Sequence, residues 1–361
     1  MKKFLLVLCC LFCCAQAAFA QNGGLYYCQK QNYIGDHPIS MYIVLLSPNS
    51  DYDLKLTFGN GDINDKKKVV DFAKEAGANV AMNASYFKQD KGTPIGVTII
   101  DGKLTTGPLM NRSVFGIDKH GNCYIDKVSL DGEIWLGAQK SSTLIKTINQ
   151  PIVSSDGAYL YNYHWGAQTP STAEDYYWHI AVLKNKIVEL STSPVSIPDR
   201  GYAVVVKKSL VECPFTCGDL VKYYYKLLPK EWCKFEYAFA GGPNLVTNGE
   251  KDVDFQSQNF DPFFARVRTA RSAIGIKSDG TVILLAVDGK QKGVSEGASL
   301  FDMADLMIDL GAQQAMNLDG GSSTQIAIDG QMMNVPTNKY GAKVTNAVVI
   351  TRKNQKFLFK N

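Results

Sequence analysis

Short apolar runs broken by turn residues dominate the chain. The stretches 41–46, 97–100, 180–183, 203–206, 282–287, 326–328 and 347–350 are apolar or alternating and short enough to be strands. Asp-Gly recurs at 101, 131, 156, 279, 288, 319 and 329, and most of these pairs read as hairpin turns. Two stretches carry a helical period. Residues 65–76 put Val69, Phe72, Ala73 and Ala76 on one face and stop at Gly77. Residues 299–310 do the same with Leu300, Met303, Ala304 and Met307 and stop at Gly311, with Ser299 and Asp302 spaced as a capping box. The mixed Lys/Tyr/Leu stretch 220–228 is expected to form a third helix. The fold class is α+β: a strand-rich mixed sheet with a few helices packed on it.

The two helices are followed by nearly the same words. Gly77-Ala78-Asn79-Val80-Ala81-Met82-Asn83 echoes Gly311-Ala312-Gln313-Gln314-Ala315-Met316-Asn317. Arg112-Ser113-Val114-Phe115-Gly116-Ile117 echoes Arg271-Ser272-Ala273-Ile274-Gly275-Ile276, in reversed order between the halves. Look-alike helix–Gly–strand units produce such echoes by chance. The sharper hypothesis is two related units side by side, each ending in an asparagine at a strand's carboxyl end. It requires Asn83 and Asn317 to lie within about 15 Å, the reach of one pocket.

The amino terminus reads as an export leader. Lys2 and Lys3 precede the apolar run 4–12, and Ala18-Phe19-Ala20 fits a small-x-small cleavage site after residue 20. A secreted or periplasmic protein of residues 21–361 is expected, as one domain. Cys9, Cys10, Cys13 and Cys14 raise the rival of a lipid anchor, against which stand the bulky residues before them. No later run is long enough to span a membrane as a helix. Without the two leader lysines the formal charge falls from +4 to +2, which gives no reason to expect nucleic acid as a partner. Of the five remaining cysteines, Cys213, Cys217 and Cys233 are the expected site of a disulfide.

The strongest chemical signal is Asn317-Leu318-Asp319-Gly320-Gly321-Ser322-Ser323-Thr324. Glycines allow close backbone approach and form anion-binding concavities, and three hydroxyls and a carboxylate sit beside them. A polar hairpin turn is the bland alternative. Asp288 ends the apolar run 282–287 and is either a turn aspartate or a second carboxylate. Arg271 has the planar fork that grips phosphate, or is a surface arginine like Arg266 and Arg268. Gly293-Val294-Ser295-Glu296-Gly297 matches a nucleophile elbow, but none of the four histidines follows it, so a loop is expected there. The aromatic stretches 159–165 and 176–179 read mainly as core. No metal-ligand spacing is present, and neither metal nor cofactor is expected.

These words, in this order, resemble the phosphodiester glycosidase family. Asn317 to Thr324 is similar to its Asn-Leu-Asp-Gly-Gly-Gly-Ser-Ser signature. Asn83-Ala84-Ser85-Tyr86-Phe87, Gly241-Gly242-Pro243-Asn244, Arg271-Ser272-Ala273-Ile274-Gly275 and Asp288-Gly289-Lys290-Gln291 resemble further family words, over about residues 75–350. Ser322 replaces the signature's third glycine, and Ala84 and Ser85 replace glycines beside Asn83. The resemblance implies hydrolysis of a sugar-1-phosphodiester, of the N-acetylglucosamine-phosphate type. It casts Asp319 as nucleophile or base and Asp288 as the second catalytic carboxylate. Arg271, Ser322, Ser323 and the Gly320 and Gly321 backbone would hold the phosphate. Asn83, Asn317, Gly242 and Thr324 would complete the sugar-phosphate pocket. Two rivals use the same residues: a non-catalytic cell-envelope protein that binds carbohydrate or sugar phosphate, and an enzyme for another anionic glycoconjugate such as an exopolysaccharide phosphodiester.

Overall fold

The computed structural model describes residues 20–137, 141–173, 175–212 and 215–353. The expected leader lies outside the described residues except Ala20, which opens the strand Ala20–Asn22. Three helices, α1 (Val69–Ala76), α2 (Pro262–Arg266) and α3 (Leu300–Asp309), accompany a large set of strands.

Every residue of Val282–Val287 is buried because both faces of its sheet are covered. The sheet has eight antiparallel strands, in the spatial order 20–22, 25–34, 37–46, 282–287, 271–277, 312–317, 244–247 and 250–251. Alternate side chains go to opposite faces. Ile283, Leu285 and Val287 cluster with Leu300, Met303, Ala304 and Met307 of α3. Leu284 and Ala286 cluster on the other side with Leu54, Met82 and Val348 of a second sheet. That second sheet runs 331–332, 326–328, 80–83, 346–352 and 52–58, and its outer face carries α1 through Val69, Phe72, Ala73 and Ala76. A third sheet of five strands, 98–127 plus 235–240, sends Phe115, Ile117 and Phe239 into the same central cluster.

The two echoed helix–strand units therefore exist as mirror-placed layers. Each helix lies outside its own sheet, and the two sheets face each other across one core. They are not neighbours in one sheet.

Residues 129–228 build a separate seven-stranded sheet. Its edges meet: Val221 N–H donates to Asn185 O at 2.9 Å and Ile187 N–H to Asp219 O at 2.9 Å, closing a small barrel around Ile134, Leu136, Ile180 and Val204. The expected helix at 220–228 is instead the strand Val221–Leu228, paired antiparallel along its whole length with Ser129–Leu136. Tyr223, Tyr224 and Tyr225 favour the pleated surface, and pairing overrides the lysine-leucine spacing. Asp131-Gly132 lies inside the partner strand and is not a turn; its glycine serves close strand approach, since a Cβ at 132 would sit 2.6 Å from Tyr224 O and 2.7 Å from Tyr225 Cβ. The first helix begins at Val69, not 65, because Lys67 is drawn into a backbone bridge with Val344. The second forms as expected, with the Ser299–Asp302 capping box in place. In the expected cysteine cluster, Cys213 lies outside the described residues, and Cys217 and Cys233 are free thiols.

Leu284→Ala and Leu285→Ala should each lower stability by about 2–5 kcal/mol, since each leaves a cavity on a different buried face. Urea titration of both variants checks this; a near-neutral result for either would show that its face is not covered.

Candidate active site

The strand Val80–Asn83 ends in the buried Asn83. Its Oδ1 accepts from the Ser272 hydroxyl at 2.8 Å and from Gln325 N–H at 3.1 Å, and its Nδ2 donates to Asp319 O at 2.6 Å. Asp319 N–H in turn donates to Ala84 O at 3.0 Å. From the opposite sheet, Ala312–Asn317 ends in the buried Asn317, whose Nδ2 donates to the Tyr86 hydroxyl at 2.7 Å and to Leu318 O at 2.7 Å. Tyr86 donates to Gly242 O at 3.1 Å. Asn83 thus touches a residue two positions from Asn317, and two residues span only about 7 Å, well inside the expected separation.

The arginine echoes converge here as well. Arg271 is fully buried; its Nε donates to Ala298 O at 3.2 Å and its Nη2 to Phe264 O at 2.7 Å and Val267 O at 2.9 Å. Its Nη1 is buried without a partner, as are Nε and Nη1 of Arg112. The Arg112 guanidinium lies 3.5 Å over the Phe260 ring, Phe260 stacks on Phe264 at 5.2 Å, and the Arg271 guanidinium lies 4.5 Å over Phe264. Cation and ring alternate as Arg112, Phe260, Phe264, Arg271. Neither arginine pairs with a carboxylate among the described residues. Burial brings the pKa of Arg112 down to about 10 and lowers that of Arg271, with Tyr86 opposing in both, and both groups stay charged at neutral pH.

Asp319 keeps partial contact with solvent, while its carboxyl is enclosed by protein. Burial raises its pKa to about 6, against hydrogen bonds from the Ser323 hydroxyl and from Gly320 N–H, the latter 3.0 Å from Oδ1. Tyr86 is also raised, first by burial and then by the negative charge of Asp319, with Arg271 and Arg112 opposing. Asp319 and the two guanidiniums therefore all act on the Tyr86 hydroxyl.

The loop after Asp319 is closely packed. Gly321 N–H donates to Ala270 O at 2.7 Å, so both glycine amides are directed to protein acceptors. A Cβ at Gly320 would lie 3.1 Å from Ala270 O and 3.7 Å from Arg271 Cδ, so the glycine lets the loop approach the arginine. Ser323 is buried, Ser322 is exposed, and the Thr324 hydroxyl and Asn317 Oδ1 are buried without partners. Gly242 has φ +100, and a Cβ there would meet Gln258 Oε1 at 2.3 Å; Gln258 Nε2 is another buried donor without a partner. Unsatisfied buried polar atoms are costly, and their number in the segments that meet here marks a place built for a polar ligand.

Asp288 stands apart from this group. It accepts from the Tyr42 hydroxyl at 3.0 Å, from Asn334 Nδ2 at 3.1 Å and from Val335 N–H at 3.1 Å, bonds that oppose the rise in pKa caused by its burial. Asn334 Nδ2 also reaches Thr324 O at 3.1 Å, which ties Asp288 to the end of the Asp319 loop. Ser295 is a buried link: its hydroxyl donates to Asp288 O at 2.8 Å and accepts from Ser40 N–H at 2.9 Å. Tyr159, Tyr161 and Trp165 pack in a core cluster with Val205. Among the described residues no group of three or more His, Cys, Asp or Glu is placed to hold a metal ion, and no helix is long and apolar enough to cross a membrane. Tyr86, Arg112, Ser272, Phe260 and Phe264 were not singled out by sequence as site residues; the Arg-Ser echo was the signal that held Arg112.

Residues 179–351 match the family model for phosphodiester glycosidase. Over 75 residues the chain is 33% identical to the Bos taurus N-acetylglucosamine-1-phosphodiester alpha-N-acetylglucosaminidase, a stretch covering 21% of this chain and 14% of that enzyme. Over 68 residues it is 41% identical to an uncharacterized prophage-derived protein of Bacillus subtilis, covering 19% of this chain and 10% of that protein. The matched stretches are thus a small part of these relatives' length. Among solved structures, a hypothetical protein from Synechocystis superposes with TM-score 0.80 at 24% identity, covering 91% of this chain and 62% of that one. The catalytic domain of the zebrafish N-acetylglucosamine-1-phosphodiester alpha-N-acetylglucosaminidase superposes with TM-score 0.53 at 18% identity, covering 93% and 86%. The structural likenesses establish a shared fold. Residues 179–351, just under half of the chain, are what it shares with the phosphodiester glycosidase family.

Proposed function

We propose that this chain is an exported hydrolase that cleaves a sugar-1-phosphodiester at the anomeric carbon, releasing the sugar and a phosphate monoester. The observation that carries this reading is the enclosed Asp319 carboxyl on a loop packed against Arg271, meeting at Tyr86 the charges of Arg271 and Arg112, two guanidiniums with no carboxylate partner among the described residues. Water supplies the new oxygen at the anomeric carbon, the bond from that carbon to the phosphate oxygen breaks, and water's second proton ends on the phosphate or the solvent. Phosphate is a good leaving group, so the demand falls on gripping its charge and stabilising an oxocarbenium-like centre.

In this reading Asp319 is the nucleophile or base. Arg112 and Arg271 hold the phosphate with the N–H groups that protein leaves unused, and Ser322 and Ser323 border it. Asn317 and Asn83 orient the sugar end, Asn83 largely by holding the Asp319 loop. Asp288 acts through Asn334 and Thr324 on that same loop. Residues 1–20 carry the export assignment through their charge, apolar run and small-residue cleavage site.

Asp319→Asn should lower release of reducing sugar from an N-acetylglucosamine-1-phosphodiester by about 10³-fold. Its thermal midpoint at pH 7 should be equal or higher, because the folded state favours the protonated acid and the ionised form costs stability as pH rises from about 4 to about 6. Full activity in the variant removes Asp319 from the chemistry. In the wild type, kcat/KM should climb with pH up to about 6 and then level, since Asp319 must lose its proton to act; a rate that falls through that range would assign it the role of acid instead. Arg112→Gln should raise KM by roughly 10–100-fold, the worth of a charge-assisted hydrogen bond, with little change in thermal midpoint. A protein that binds N-acetylglucosamine-1-phosphate by calorimetry yet releases no sugar on long incubation would be a binding protein.

A further inference from the structure

A groove of about 840 Å³ opens at the end of the eight-stranded sheet opposite to Asp319. Its lining includes Lys277, the last residue of the strand Arg271–Lys277, and Gln313 and Gln314, near the start of the strand Ala312–Asn317. These two strands run antiparallel and carry Arg271 and Asn317 at their other ends. The strand from Arg271 to Lys277 spans about 20 Å, so the groove is a separate place on the molecule. Past the hairpin turn 118–123 it adjoins a second cavity of about 460 Å³, whose lining also contains Asp118, Lys119, His120 and Cys123. Together the two form an elongated site.

Three aromatic rings form its apolar part. Trp232 and Phe235 are buried and stack with centroids 4.3 Å apart and planes 4° apart. Tyr124 packs on Phe235 at 5.3 Å, with planes at 70°, and is 45% exposed. The stack fits because Gly116, opposite Tyr124 on the neighbouring strand, has no side chain: a Cβ there would lie 2.5 Å from both Phe235 Cδ1 and Trp232 Cζ3. Tyr124 is thus fixed before anything binds, which lowers the entropy cost of stacking on it. The rim is cationic. Lys119, Lys230 and Lys234 are exposed, Lys277 is half-buried, and none of the four forms an ion pair among the described residues. Of the carboxylates in the lining, Asp118 is spent on its own turn, accepting from His120 N–H at 2.8 Å, Asn122 N–H at 2.9 Å and Asn122 Nδ2 at 2.9 Å. That leaves Asp126 and Glu231 against four lysines. An acidic sugar matches this set: its C–H face packs on an aromatic ring, its hydroxyls pair with amides such as that of Gln313, and its charge meets an ammonium group.

We infer that this groove is a second, non-catalytic binding site for an acidic glycan chain, one that carries carboxylate or phosphate groups along its length. A sugar residue lies on Tyr124, the chain continues past the turn 118–123, and its acidic groups meet Lys119, Lys230 and Lys234. The elongated shape favours a chain over a single sugar. Binding here makes no use of Asp319, so the assignment stands or falls apart from the proposed hydrolysis.

The test is calorimetry on the Asp319→Asn protein, which removes turnover, with three probes of equal length: a galacturonic acid hexamer, a phosphate-bridged hexose hexamer and the neutral maltohexaose. At least one acidic probe should bind about tenfold or more tighter than maltohexaose, and raising the salt from about 50 mM to about 1 M should erase most of the difference. Tyr124→Ala, and separately the pair Lys230→Glu with Lys234→Glu, should each raise the Kd of that probe about tenfold at an unchanged thermal midpoint. Binding of neither acidic probe, equal binding of maltohexaose, or an affinity that survives both sets of substitutions overturns the assignment. Equally tight binding of a thymidine oligonucleotide overturns it too and makes the groove a nucleic-acid site. The same substitutions in the wild type should leave hydrolysis of a small sugar-1-phosphodiester unchanged; a loss there would place the groove in the active site and overturn its separate role.

Discussion

Two guanidinium groups are buried in this protein with no carboxylate among the described residues to balance them, and the surrounding architecture is arranged to hold them. Taking a cation out of water is costly unless something replaces the lost solvation. Arg271 is compensated by three backbone carbonyls and the face of Phe264. Arg112 is compensated chiefly by the face of Phe260 and leaves two nitrogens unserved. A stack of rings and cations tolerates charge without neutralising it, and so preserves positive potential for an anionic ligand. Asp319, on the neighbouring loop, has a raised pKa because loss of solvent outweighs the hydrogen bonds it receives.

The architecture explains how so many polar groups arrive together. Two sheets face each other across a single core, each with a helix on its outer face, and one asparagine-ended strand from each points to the same end. The loops leaving those strands bind each other through backbone: Asp319 N–H to Ala84 O, and Asn83 Nδ2 to Asp319 O. A local shift in either sheet would therefore move the Asp319 loop. Asp288 anchors the far end of that loop through Asn334 and Thr324. The glycine at 320 is used for packing against Arg271 rather than for presenting its amide outward.

Much of this was determined by sequence alone. The capping residues Ser299 and Asp302, the helical faces at Val69–Ala76 and Leu300–Asp309, and the all-apolar strand Val282–Val287 are local signals and were legible, because capping and periodicity depend on near neighbours. The words around Asn83, Arg271 and Asn317 were legible as candidates for the same reason: glycines, hydroxyls and a carboxylate crowded into a few positions. What only the tertiary structure decided is everything that depends on partners distant along the chain. The strand Val221–Leu228 has a pattern compatible with either period until Ser129–Leu136 pairs with it. Arg112 looked like any arginine before a strand until Phe260 came to lie under it. The proton affinity of Asp319 is a property of the atoms that exclude water around it, and those atoms come from segments that only folding brings together.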